Sequence, residues 1–156
     1  MGAVKLEPLY RVEFVYPEGW SIELAGDHGS EWQDFYLAEG TCAGRVAGRV
    51  AGRMRGANHP RRRTDGTYCP DFQGVIETAD GAEVMFDWRG YGRAYPVGAR
   101  QIVLTATHMA GDERYRWLND VVCVGTGEVR IPEDGNGADL LIDVAELVWE
   151  PPGDGF

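Results

Sequence analysis

Residues 68–91 read YCPDFQGVIETADGAEVMFDWRGY, two alternating runs around an Asp80-Gly81 dipeptide. Asp-Gly between two period-2 runs is a strong short-range hairpin signal, since glycine takes the positive φ a tight reversal needs. This places Tyr68 to Thr78 on one strand and Ala82 to Tyr91 on the next. On the first, Phe72, Gly74 and Ile76 share a face opposite Asp71, Gln73 and Glu77. On the second, Ala82, Val84, Phe86, Trp88 and Gly90 form the apolar face. Glu83, Asp87 and Arg89 lie opposite, with Met85 and Tyr91.

The same alternation extends in both directions. Arg100 to Met109 forms a strand with Ile102, Leu104, Ala106 and His108 on one face. Asp112 to Asn119 makes one helical turn. Val121 to Arg130 and Ala138 to Trp149 are two further strands, joined by the turn-rich Pro132 to Gly137. Upstream, Val4 to Tyr16 is a strand, Pro17-Glu18-Gly19 a turn, Trp20 to Leu24 a short strand and Gly26 to Ser30 a loop.

Residues 44–56 read GRVAGRVAGRMRG. Glycine at every fourth place costs a helix about 1 kcal/mol each. A strand fits better, with Arg45, Arg49, Arg53 and Arg55 on one face and Val46, Val50 and Met54 on the other. Asn58-His59-Pro60 ends it, and Arg61 to Gly66 is a polar loop. The reading is therefore all-β: a single antiparallel up-and-down, lipocalin-like barrel over residues 1–150 with one short helical turn, and a frayed tail over 151–156. A barrel of about eight strands can enclose one small ligand.

Composition narrows the function classes. The chain has 156 residues and a net charge of -10, so its field repels nucleic acid and anionic membranes. Seven of its fifteen Lys and Arg residues nevertheless fall between Arg45 and Arg63. Cys42, Cys69 and Cys123 form no CxxC pair, so no zinc site is expected, and they read as small buried hydrophobes. The first residues lack the apolar core of a signal sequence. No apolar run reaches the roughly 18 residues of a membrane span. A reduced, cytoplasmic setting is the expectation.

Four pieces then match a known family in order: Gly40-Thr41-x-x-Gly44 with Gly48; Asp65-Gly66 followed by Asp71; Glu77-Thr78-Ala79-Asp80-Gly81-Ala82; and Tyr115-x-Trp117-Leu118-Asn119 followed by Val124-Gly125-x-Gly127. The chain resembles the widespread microbial family of domain of unknown function 3237 (DUF3237), nearly end to end. The resemblance implies a lipocalin-type barrel with a central cavity and little about activity. Many members carry Asp-Trp where this chain has Asn58-His59; Asp71 matches the family's Asp.

No GxSxG, HExxH, P-loop or strand-led GxGxxG is present, so neither cofactor nor metal is expected. His108, inward on an apolar wall, is the first candidate for a general acid or base. His59 at a strand end and Asp71 beside a mouth complete the candidate catalytic set, although alternation puts Asp71 outside unless a bulge shifts its phase. Tyr68, Trp88, Arg89, Tyr91 and Asn58 are candidate ligand contacts. Each has a plainer role: core packing for Trp88, an exterior ion pair for Asp87 with Arg89, a backbone hydrogen bond for His108. Tyr115, Trp117 and Asn119 are expected to plug one barrel end.

Three functions fit these readings. One is a cofactor-independent isomerase, cyclase or hydro-lyase acting on a small, partly hydrophobic or aromatic metabolite. The second is a carrier of lipocalin type. The third is an assembly protein whose barrels pair as a homo-oligomer through edges or the Arg-rich strand.

Overall fold

The β-branched and aromatic alternation closes into a ring of eight long antiparallel strands. The computed structural model describes residues 2–45, 50–93, 100–131, 134 and 138–153. The strands are β1 (Ala3–Gly26), β2 (Gly29–Gly44), β3 (Gly52–Asn58), β4 (Arg61–Arg62), β5 (Tyr68–Cys69), β6 (Asp71–Thr78), β7 (Glu83–Arg93), β8 (Gln101–Ala110), β9 (Cys123–Arg130) and β10 (Asp139–Glu150), with one 3-10 turn at Arg116–Asp120. Pairing runs β1–β2–β3–β6–β7–β8–β9–β10 and returns to β1. Two-residue β4 and β5 bridge from β2 to β7 at one end of the ring.

The central hairpin follows its alternation. Phe72 faces Trp88, Gly74 faces Phe86 and Ile76 faces Val84 on the inner side. Asp71 opposite Arg89 and Gln73 opposite Asp87 form the outer side. The reversal spans Ala79 to Gly81: the Gly81 N–H donates to the Thr78 carbonyl, and Gly81 has φ +89°. That is a type I turn closed by a left-handed glycine rather than a two-residue turn. Phe14, Phe72, Phe86 and Trp88 then pack ring on ring, with centroids 4.4 to 6.2 Å apart. Burying each ring contributes roughly 2–3 kcal/mol.

Two features depart from the alternating reading. Pro17-Glu18-Gly19 is not a turn. β1 runs straight through it, and the register against β2 slips by one residue between Val15 and Glu18. Proline has no N–H for a ladder bond, so a bulge accommodates it without loss. Trp20 to Leu24 therefore continues β1 as a long arm paired with β2 out to Gly26 opposite Gly29.

The glycine-arginine run is likewise not one strand. Cys42 pairs with Gly52, so the chain reverses between β2 and β3; residues 46–49 lie outside the described residues. Its described residues keep the expected sidedness, with Val50 and Met54 buried and Arg45, Arg53 and Arg55 exposed. Asp134 is the one described residue of the 132–137 turn, and 154–156 of the tail are not described.

One end of the barrel is closed. The 3-10 turn seats Leu118 and its neighbour Tyr115 in the core. Asn119 fastens it, donating from Nδ2 to the Ala110 carbonyl and accepting the Ala110 N–H at Oδ1. The Tyr115 hydroxyl donates to the Asp80 carboxylate at 2.8 Å, tying the plug to the central hairpin. Trp117, expected in the plug, is 38% exposed instead. Cys42 and Cys123 are buried, as small hydrophobes are, whereas Cys69 is half-buried on β5. Among the described residues no helix is long and apolar enough to cross a membrane.

Candidate functional site

The end opposite the plug holds a cavity of about 230 Å³. Larger depressions lie along the strands, such as one of about 500 Å³ over Pro8 and Thr126. The mouth cavity is distinguished by being built from the inner ends of many strands. Tyr16 comes from β1, Tyr36 from β2, Asn58 from β3, Tyr68 from β5, Ile102 from β8 and Leu140 from β10, with Arg100 just ahead of β8.

Local structure explains why these side chains meet. Alternation from Tyr10, Val12 and Phe14 puts Tyr16 on the inner side, where it stacks on Tyr36 at 4.6 Å and 24°. Gly19 faces Tyr36 across the ladder, and a Cβ there would meet the Tyr36 ring, so glycine makes room for it. Tyr36 and Asp34 share the inner side of β2. Asp34 is fully buried. Arg62 grips it with both arms of the fork, at 2.6 and 2.7 Å, and the Ser21 hydroxyl donates to it as well. The Arg62 guanidinium in turn lies 4.6 Å from the Trp32 ring centroid and 5.4 Å from that of Tyr68.

Asn58 is the pivot of the mouth. Its Oδ1 accepts the backbone N–H of Asp71 at 3.1 Å, which fixes the amide's orientation. Its Nδ2 therefore donates, at 2.9 Å, to the Tyr16 hydroxyl oxygen. With its oxygen already accepting, Tyr16 keeps its own O–H for a further acceptor. Burial pushes the Tyr16 phenol up to about 12, so it stays protonated through the neutral range. Arg100 lies face-on to Tyr68, 3.9 Å from the ring centroid, and its Nη1 is buried with no hydrogen-bond partner.

The three candidate acid/base residues do not come together. His108 points inward as alternation requires, but toward the plugged end. It is six residues from Ile102 along β8, roughly 20 Å from the mouth at strand rise. Its Nε2 is 2.7 Å from the Tyr10 hydroxyl, and burial lowers its pKa to about 4. The Trp88 indole N–H also faces the Tyr10 hydroxyl and draws its pKa down, without reaching good hydrogen-bond geometry; burial outweighs it and holds the phenol well above 10.0.

His59 is exposed, 3.1 Å from the Gln33 amide oxygen and edge-on to Phe35. Asp71 lies on the outer wall, accepting from Gln73 and paired with Arg89 at 3.1 Å. No bulge at residues 69–71 turns it inward.

Of the five candidate ligand contacts, Asn58 and Tyr68 line the mouth. Trp88 is core, while Arg89 and Tyr91 face outward, Arg89 held by Asp87. Tyr16, Tyr36 and Arg100 were not among the candidates. The first sits in front of a proline that reads as a turn. The last opens a strand whose next inward residue is Ile102, and alternation, the signal that could have found it, puts it on that same face.

The chain is a closed eight-strand antiparallel barrel, plugged at one end and carrying an aromatic pocket at the other. Residues 4–147 match the family described as protein of unknown function (DUF3237), and the chain belongs to that family. No curated protein matches the chain.

Solved structures share the fold. A β-barrel-like protein from Acinetobacter baumannii AYE is 22% identical with a TM-score of 0.72, over 94% of this chain and 97% of that one. A protein with unknown function from Clostridium acetobutylicum ATCC 824 is 15% identical with a TM-score of 0.75, over 94% and 100%. A structure described as an enzyme from Penicillium herquei is 20% identical with a TM-score of 0.64, over 90% and 94%.

Proposed function

We propose that the barrel mouth binds a small, partly hydrophobic or aromatic metabolite and catalyses cofactor-independent proton-transfer chemistry on it. The reaction types are isomerisation, cyclisation, or addition and loss of water. One observation carries the reading: the hydrogen-bond line from the Asp71 N–H through Asn58 to Tyr16. It fills the acceptor side of the phenol and leaves its proton for a ligand oxygen inside an aromatic pocket.

A buried, neutral phenol held in this way polarises a carbonyl and stabilises the enolate that forms from it. None of the described lining residues is a carboxylate or a histidine. The pocket thus supplies donors, and the substrate's own ionised oxygen or solvent takes up the proton. That division suits ring closure or tautomerisation within one molecule. The enzyme described from Penicillium herquei lends the catalytic reading its support among the structural neighbours.

The test is a ligand screen of small aromatic and polyketide-like ketones, followed by incubation of each hit in deuterated water. Wild-type protein should speed deuterium uptake beside the ketone. Tyr16→Phe should bind the same hit about tenfold more weakly and lose the exchange even when saturated with it. Hits that bind without exchange or turnover in any case sink the catalytic reading and leave a carrier, for which the same pocket suffices.

A further inference from the structure

We infer that the ligand of the mouth is a small planar anion, a carboxylate or phenolate on an aromatic frame, and that Arg100 is its charge receptor. This rests on the mouth being the binding site. The chain as a whole is acidic, with 25 Asp and Glu against 15 Lys and Arg. The mouth reverses that balance. Its described lining holds no Asp or Glu, and Arg100 is its one charged side chain.

Several arginines elsewhere find acids: Arg11 with Asp143, Arg62 with Asp34, Arg89 with Asp71 and Asp87, Arg114 with Asp112. Arg100 has no acid partner among the described residues, and unlike the exposed Arg61, Arg93 and Arg116 it is half-buried, with its Nη1 buried and lacking a hydrogen bond. Asp34 is already engaged by Arg62 and Ser21. What holds Arg100 is the face of Tyr68, 3.9 Å away. A ring face orients a guanidinium and leaves its charge uncompensated.

Arg100 is half-buried, and its buried Nη1 lacks a hydrogen bond at a cost that a carboxylate entering the pocket would remove through charge-assisted hydrogen bonds. The remaining walls choose shape. Tyr16 and Tyr36 present stacked rings. The volume of about 230 Å³ is small beside the roughly 300–1,000 Å³ of drug-sized pockets, which limits the ligand to about one or two rings.

Titration calorimetry with benzoate, 2-naphthoate, benzyl alcohol and acetate tests this, with tyrosine ring resonances reporting where each probe binds. Wild-type protein should prefer benzoate or 2-naphthoate to benzyl alcohol by at least about tenfold, and both to acetate. Arg100→Met should erase the preference over the alcohol, and Arg100→Lys should restore part of it. Should Arg100→Met fail to fold, Tyr68→Leu, which frees the guanidinium, should weaken benzoate more than benzyl alcohol.

Equal binding of benzoate and benzyl alcohol, or a preference that survives Arg100→Met, overturns the charge assignment while the mouth stands as the site. Acetate binding as tightly as benzoate overturns the planar frame. No aromatic probe perturbing Tyr16 and Tyr36 overturns this inference and the reading beneath it.

Discussion

The Tyr10 hydroxyl and the His108 Nε2 stand 2.7 Å apart inside the barrel, joining β1 to β8 across its interior. Neither side chain reaches the mouth. Both are nearly inaccessible, and the His108 Nδ1 has no partner. An imidazole so placed is neutral in the folded state and serves the core.

This sets a pH dependence. The folded-state pKa of about 4 lies below the ordinary 6.5, so between those values the unfolded chain binds a proton that the folded chain does not. Stability is full above about pH 6.5 and falls as pH drops toward 4, by roughly 3 kcal/mol at the limit. Urea midpoints of wild type and His108→Gln, measured from pH 7.5 to 4.5, should converge as the solution is acidified. Parallel curves would remove the histidine from the acid response. Ligand affinity at pH 7.5 should be equal in the two proteins.

Breaking the Asp34–Arg62 pair should be severe. Arg62→Met leaves a fully buried carboxylate with only Ser21 beside it. The expected loss is about 3–5 kcal/mol, less whatever water reaches the partly exposed guanidinium side. The double variant Asp34→Asn with Arg62→Met should recover at least about half of it, read by urea denaturation. No recovery would mean that Arg62 matters for its packing on Trp32 and Tyr68 instead.

Asn58→Asp isolates the relay. An aspartate still accepts the Asp71 N–H, but it cannot donate to Tyr16 and takes the phenol's proton into its own hydrogen bond. Affinity for an oxygen-bearing aromatic ligand should fall about tenfold, the equivalent of one hydrogen bond. Calorimetry checks it, and unchanged affinity would show that Tyr16 does not donate to the ligand.

Backbone crowding gives a test of the barrel wall. A Cβ on Gly40 would run into the Glu13 carbonyl oxygen and Phe14, neither of which can yield without opening the β1–β2 ladder. Gly40→Ala should cost about 1–3 kcal/mol or more. Gly26→Ala, with nothing within 4 Å of the new methyl, should stay within about 0.5 kcal/mol of wild type. Thermal melts of the pair would decide it.

Much of the barrel is legible in sequence because one face of each strand is buried, and a period of two exposes that face. Phe72, Ile76, Val84, Phe86, Trp88, Leu104 and Ala106 fall where alternation puts them, and so do the outward Asp71 and Arg89. The mouth is less legible for two physical reasons. Tyr16 keeps the inward phase of Tyr10, Val12 and Phe14, but Pro17 directly after it suggests a reversal and so hides that the strand runs on beside Tyr36. The remaining site residues lie near strand ends, where residue type says little about direction. Asn58 is visible as a strand terminator, yet its role comes from the Asp71 N–H, a backbone group that no side-chain pattern reveals. Likewise the Gly44 to Gly56 repeat keeps one alternation across a chain reversal, so periodicity alone cannot show that β2 ends and β3 begins within it.

The plug at the far end has a consequence for traffic. With Tyr115 and Leu118 seated there and aromatic rings filling the middle, the mouth is the doorway that the described residues leave to the interior. Whatever enters must back out the way it came. A product would have to leave before the next substrate could enter, so the two would compete for one berth. If the proposed chemistry takes place there, a tightly held product would be its own inhibitor.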